Sequence, residues 1–476
     1  MPSDYESIAE KNIKKYGTDI DRYGPVILAN LYSDRTHFVY EILQNTEDAC
    51  ERARKADEFC VSFKLSPGRL EARHNGILFD GDDVRGICGL VEGTKNEDLT
   101  QIGKFGIGFK SVYAYTSSPE IYSGNEAFLI EDYVHPRGIK KVDIKDNETL
   151  FVFPFNHKNV SPEQAFEDIS KRLHGLGSQT LLFLNNINEI GWEIDGGESG
   201  TYIRDPKPQS GHSKRIYIIS KVGKEEDKSE EWLIFDRPVK TENPNASNLK
   251  VEVAYKICRE NKDEKDTIIP VNTSHLVVFF PTEKETHLRF LIQGAYKTTP
   301  ARDNIPKEDA WNKKLIKETA RLVADSITMV KKMGLLTVDF LNVLPISGED
   351  FPEDDMFRPI YDAVLDKLKS DEKLLPANDG GYISAKQAFL ARGRDLIDLL
   401  GTEQLSLLFG KQDAHWLDSN ITEASSVRNY LDKELEIPVI RPETFANRLD
   451  EEFMGKQTDE WVIEFYRFLL KHEDLW

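Results

Sequence analysis

Glu41, Asn45 and Asp48 stand at i, i+4 and i+7 of one helical run. At about 100° per residue they fall within a stripe roughly 60° wide. Val39, Ile42, Leu43, Thr46, Ala49 and Ala53 fill a broad neighbouring face suited to packing on a sheet. A helix with a narrow polar stripe beside its core face can line a pocket, here one furnished with two carboxylates and an amide. An ordinary amphipathic surface helix shows the same stripe. The second feature is Gly103-Lys104-Phe105-Gly106-Ile107-Gly108, a GxxGxG run that enters a helix with Lys110 just beyond it. Glycine lets the backbone approach a ligand and aim successive N–H groups at it. The helix N-terminus that follows adds positive dipole character. That is the chemistry of an anion seat. The spacing is not that of a Walker A loop, and no strand directly precedes it as in a dinucleotide fold.

The elements that must position these residues are legible around them. Asp34 is the expected N-cap of a long helix from Arg35 to about Ala56. FCVSFKL (59–65) and RLEARH (69–74) alternate on either side of Ser66-Pro67-Gly68, which predicts a hairpin. A short helix is expected over 80–90, a polar, glycine-punctuated loop over 91–105, and a helix from near Gly106 that carries Val112, Ala114 and Tyr115. Strands are expected at 126–134, 149–155 and 180–187, where β-branched and aromatic residues are dense. A second β-rich region follows, with KRIYIIS, EWLIFD, KVEVAYKI and LVVFFP separated by charged hairpin tips at 224–231 and 259–266, and closed by a helix over 307–332. PISGEDFPEDD (345–355) reads as a boundary. The remainder is expected to be mainly helical with one hairpin at Asn378-Asp379-Gly380-Gly381, and its abrupt end at Trp476 suggests a piece of a longer polypeptide.

The whole chain sets the limits. It has 476 residues, a formal net charge of −20 and 39% hydrophobic residues, enough for several packed domains. The acidic balance argues against a generic phosphate-coating nucleic-acid binder. No run approaches the roughly 20 apolar residues needed to span a bilayer, and the N-terminus has no signal-peptide core, so a soluble, cytoplasmic protein is expected. Cys50, Cys60, Cys88 and Cys258 lack CxxC spacing, against a zinc knuckle or disulfide framework. No HExxH, GxSxG or Cys/His pairing offers metal or covalent chemistry. His37, one turn before Glu41, reads as a helix-start residue.

The ordered series EILQNTEDA (41–49), HNGILF (74–79), GTK (93–95), IGKFGIGFKSV (102–112) and QTLLFL (179–184) resembles the GHKL ATPases. Its fit is closest to the sacsin-type, Hsp-ninety-like branch, over residues 30–190 and more loosely to about 330. The resemblance implies an α+β fold: a Bergerat ATP-binding domain over 1–200, a transducer-like α/β domain over 201–345 and a mainly helical region over 346–476. It implies ATP and Mg²⁺ as ligands, with Glu41 as general base and Asn45 as the Mg²⁺ ligand. Asp48 and Ala49 would flank the ribose and adenine side, with His74, Asn75, Gly76, Phe79 and Thr180 around the base. Lys95, Gly103, Lys104, Phe105, Gly106, Ile107, Gly108, Phe109 and Lys110 would lie about the triphosphate, with 91–105 as a lid. Arg302, in TTPARDNI, resembles the transducer arginine that reaches the γ-phosphate. A nucleotide-driven cycle, often through homodimerisation, is implied, with chaperone-like or prokaryotic defence output and an unknown protein partner. A non-hydrolysing nucleotide-gated scaffold is the alternative, and a DNA-processing ATPase is disfavoured by the acidic charge. One position departs from the pattern: His74 stands where Hsp-ninety and gyrase-type proteins carry an adenine-binding aspartate. Histidine cannot reproduce a carboxylate's geometry or charge, so adenine selectivity is expected to be modest.

Overall fold

The structure, a computed structural model, describes residues 1–17, 34–53, 58–89, 108–208, 211–241, 249–259, 265–299 and 304–475. Helix α1 (Tyr5–Tyr16) is capped by Asp4, whose carboxylate accepts from the Ser7 N–H at 3.0 Å. A short 3-10 turn at Arg35–His37, begun by Asp34 accepting from the Thr36 N–H at 2.8 Å, leads into helix α2 (Phe38–Ala53). Phe38, Val39, Ile42, Leu43 and Cys50 of α2 are buried, which is the apolar face seen in the sequence.

That face packs on a mixed sheet. Strands β1 (Phe59–Ser66) and β2 (Arg69–His74) form the expected hairpin, in register from Val61 opposite His74 to Ser66 opposite Arg69. β1 buries Phe59, Val61, Phe63 and Leu65 and turns the residues between them outward, so its alternation is that of a half-covered strand. Helix α3 (Gly81–Cys88) begins with a reciprocal capping box between Asp80 and Asp83. β3 (Glu120–Ser123), β4 (Glu126–Glu131), β5 (His135–Gly138) and β6 (Thr149–Pro154) extend the sheet beyond β2 in the order β2-β6-β3-β4-β5. On the other side of β1 lies β7 (Ile187–Ile194), running parallel to it. The sheet continues through β8 (Ser199–Pro208), β9 (Ser213–Val222), β10 (Lys228–Pro238) and β11 (Lys250–Cys258) to β15 (Leu291–Gly294), β13 (His275–Val278) and β14 (Phe280–Glu285). β12 (Thr267–Ile269) pairs with β11.

The three largest of four buried clusters among the described residues support this frame. One joins α2 to β1, β2, β6 and β7 and reaches Ile216, Trp232 and Phe280 in the second half of the sheet. A second runs from Leu233 to Ile437, with residues on both sides of the acidic segment at 345–355 and with the helix Ala310–Lys332 at its centre. The third, from Phe389 to Phe468, lies within the C-terminal region. The class is therefore mixed α and β, with one large sheet.

Several local expectations differ from the structure: the helix expected from near Gly106 is a 3-10 helix over Phe109–Ala114, and the charged tip expected at 224–231 gives way to β10 at Lys228. The 180–187 stretch is not a strand until Ile187. Helix α4 (Pro162–His174) is followed by the one-turn helix α5 (Gln179–Leu182), and Thr180 to Leu184 are all buried. A short apolar run covered on every side has no period from which to tell strand from buried helix. The C-terminal region holds the expected hairpin, Leu375–Pro376 against Tyr382–Ile383, but also a three-stranded parallel patch at Ala388–Ala391, His415–Trp416 and Val439–Ile440. Strands of two to four residues are too short to show alternation.

Candidate functional site: a cavity between the second helix and the hairpin

Helix α2, the end of β2, helix α3 and the 3-10 helix Phe109–Ala114 enclose a cavity of about 270 Å³. Eight residues singled out from sequence line it: Glu41, Asn45, Asp48, Ala49, His74, Phe79, Gly108 and Phe109. Arg52, Ile77, Asp82, Asp83, Gly86, Ile87 and Phe151 complete the wall. Arg52 continues the α2 stripe at i+4 from Asp48, a signal already present in the sequence. It closes one rim as a two-pronged ion pair with Asp83 at 2.6 and 3.0 Å. Lys95, Gly103, Lys104, Phe105, Gly106, Ile107 and Arg302 lie outside the described residues.

Glu41 is 6% exposed. Its Oε1 accepts from His37 Nε2 at 3.1 Å, so His37 is the carboxylate's partner as well as a helix-start residue. The Gly108 backbone presses on the same carboxylate: a Cβ built there would lie 2.7 Å from Glu41 Cδ and closer still to Oε2. A carboxylate fixed on one oxygen by an imidazole and walled by a glycine on the other side has a defined direction, as a proton acceptor needs. Asn45 makes no side-chain hydrogen bond among the described residues, and its amide oxygen is available to a hard cation. Loss of water contact and the negative field of Glu51, Glu47 and Glu41 push the Asp48 carboxyl up to about 7, with Arg52 opposing. Asp48 is exposed at the mouth of the cavity, so solvent screening trims that shift. A carboxyl raised in this way is held neutral more easily in the folded chain than in the unfolded one. Its contribution to stability declines as pH rises from the ordinary aspartate range towards 7. The preceding residue, Glu47, is buried away from the cavity and does structural work: its carboxylate accepts from the backbone N–H groups of Asn185, Asn186 and Ile187 at 2.7, 2.9 and 3.0 Å, which ties α2 to the start of β7.

Four of the expected site residues are placed elsewhere. Asn75 spends its amide on strand edges, accepting from the Cys60 N–H at 2.8 Å and donating to the Glu58 carbonyl at 2.9 Å. Gly76 packs on α2, where a Cβ would lie 3.0 Å from that of Ala49. Thr180 is buried in α5, which packs on β7 and β8, and it does not line the cavity. The threonine beside His74 is Thr149, its register partner across β2 and β6, and its hydroxyl lies 2.6 Å from that of Ser123. The polar start of TLFVFPF was the sequence signal for it.

Lys110 is 1% exposed and does not line the cavity. Its amine donates to the carbonyls of Ile87, at 2.6 Å, and Tyr133, so it clamps the end of α3 to the turn between β4 and β5. Burial pushes its pKa down to about 8. Lys110→Met keeps the aliphatic stem but removes the donor from two buried carbonyls. It is expected to lower stability by about 2 kcal/mol. An unchanged melting temperature would contradict the clamp.

A larger hollow of about 510 Å³ lies beside Asp34, Arg35, Thr36, Tyr115, Asp168, Lys171 and Arg172. Its principal charges are consumed internally: Arg172 pairs with Asp34 and donates to Thr36 Oγ1 at 2.8 Å, and Lys171 pairs with Glu167 at 2.7 Å. Size alone does not make it the site. Among the described residues no group of three or more His, Cys, Asp or Glu is placed to hold a metal by itself, and no helix is long and apolar enough to cross a membrane.

Comparison with known proteins bears on the same wall of the cavity. The family model of the sacsin domain matches residues 68–135, the stretch that carries His74, Phe79, Gly108 and Phe109. Protein NO VEIN of Arabidopsis thaliana is 23% identical over 74% of this chain, and human sacsin is 23% identical over 61%. Chaperone protein HtpG of Rickettsia rickettsii is 25% identical over 29%. The chain spans only 13% of the first of these proteins, 8% of the second and 26% of the third. Taken with the cavity, these matches make the chain a sacsin-like relative of the Hsp-ninety-type, ATPase-like proteins.

Proposed function

We propose that the chain binds and hydrolyses ATP, or a related purine nucleoside triphosphate, together with Mg²⁺. In this reading the first 200 residues form a Bergerat-type nucleotide domain, the following sheet a transducer-like domain, and the output is chaperone-like work. The observation that carries it is the single cavity in which Glu41, Asn45, Asp48, His74 and Gly108 meet, although 67 positions separate Glu41 from Gly108. The relation to sacsin and HtpG supports the same chemistry.

The residues divide the labour. Asn45 would hold Mg²⁺ through its amide oxygen, and the bound cation would neutralise charge on the phosphates. Glu41, aimed by His37 and the Gly108 wall, would take the proton from a water attacking the terminal phosphorus as the bond to the bridging oxygen breaks. Ile77, Phe79, Phe109 and Phe151 supply an apolar slot for a flat base. Phosphate release measured with each nucleoside triphosphate, with and without Mg²⁺, tests the proposal. Mg²⁺-dependent release is expected; no release and no binding with any triphosphate would overturn it.

A further inference from the structure

The inner end of the slot is polar at one well-defined atom. His74 closes β2, is 4% exposed and lines the cavity. Its Nδ1 accepts a hydrogen bond from the Gly76 N–H at 3.2 Å. A neutral imidazole has one acceptor nitrogen and one N–H, so the proton must sit on Nε2. Burial pushes the ring's pKa down to about 4, so it is neutral at pH 7. Nε2 makes no hydrogen bond to any described residue. Of the polar groups beside β2, the Ser123 hydroxyl accepts from the Phe79 N–H at 2.9 Å and bonds Thr149 at 2.6 Å, and Asn75 is held on the strand edges, while Asn45 and Asp48 face the same cavity from α2. Phe151 lies 5.9 Å from the His74 ring and 6.0 Å from Phe79, centroid to centroid, so an aromatic ring stands beside the imidazole.

Resting on the nucleotide reading above, we propose that His74 is the base-reading residue of this cavity, and that its Nε2–H selects a purine with a 6-oxo group over one with a 6-amino group. The substituent on C6 projects furthest beyond the ring edge and reaches the inner end first. A 6-oxo group meets the donor as an acceptor. A 6-amino group sets N–H against N–H and leaves both unpaired in an apolar slot, the kind of mismatch that buried polar sites reject. To satisfy the donor through N1, adenine would have to turn its amino group aside and lose its seat between the rings.

Inosine triphosphate is the discriminating probe, because it differs from ATP only at C6 and the adjoining N1 proton. Equilibrium binding of the slowly hydrolysed β,γ-imido analogues of the two is measured on the full chain and on His74→Asn and His74→Asp. The inosine analogue is expected to bind about tenfold more tightly to the parent chain. His74→Asn, whose amide can turn either edge to the ligand, narrows the ratio to within about threefold, and His74→Asp, an acceptor when ionised, reverses it. Equal or tighter binding of the adenosine analogue to the parent, or an unchanged ratio in His74→Asn, overturns the assignment of His74 but leaves the nucleotide site standing. Absence of binding by both analogues overturns the nucleotide reading and this inference together. If His74→Asp fails to fold, the parent and His74→Asn decide the matter.

Discussion

Glu41→Gln is expected to cut phosphate release by at least about 100-fold, the lower range for loss of a positioned general base, while nucleotide affinity changes little. The two effects separate because the carboxylate acts on the water and not on the ligand's standing charge. Glutamine preserves the volume of a side chain that is 6% exposed, and its amide oxygen still accepts from His37 Nε2 at the position where Glu41 Oε1 lies 3.1 Å away. The substitution therefore removes basicity with little change in shape. It also removes one negative charge from a cavity lined by Asp48, Asp82 and Asp83, so binding should strengthen slightly if it moves at all. Single-turnover hydrolysis and equilibrium binding on the same protein check both halves. Hydrolysis at the parent rate would remove Glu41 from the chemistry, and loss of binding would make it a structural residue.

The α2 half of the cavity was readable because helical periodicity is a local property. Glu41, Asn45, Asp48 and Ala49 are brought to one wall by the geometry of a single element, and Arg52 continues the same line. The β1–β2 hairpin was readable for a similar reason, since Ser66-Pro67-Gly68 separates two alternating runs. Pairings across long sequence separations were not readable. That Thr149 and not Thr180 stands beside His74 is fixed by the register of β2 with β6, which only the assembled sheet settles. Lys110 shows another limit. A lysine just after a glycine run looks like a phosphate ligand, yet burial and two backbone carbonyls claim its amine. The same holds for His37, whose contact with Glu41 was one helical turn away in sequence but needed the 3-10 start of α2 to be oriented.

Gly108→Ala should be nearly as damaging to hydrolysis as loss of the base, for a different physical reason. Gly108 has φ −55° and ψ −51°, ordinary helical values that alanine adopts without strain, so the backbone has no objection to the change. The added methyl meets the end of the Glu41 side chain, 2.7 Å from Cδ and closer to Oε2. Real carbon atoms do not approach so near, and the flexible carboxylate must swing away. In doing so it gives up the 3.1 Å bond to His37 and its aim at the ligand. The fold should survive, because a side-chain tip moves and no backbone does; the melting temperature is expected to stay close to that of the parent. The decisive comparison is the double variant. If Gly108→Ala acts by misdirecting Glu41, adding Glu41→Gln should cost almost nothing more, whereas independent contributions would multiply. A fully additive double variant, or a Gly108→Ala protein that hydrolyses nucleotide at more than about a third of the parent rate (under 1 kcal/mol of lost transition-state stabilisation), would show that the glycine does not set the direction of the carboxylate.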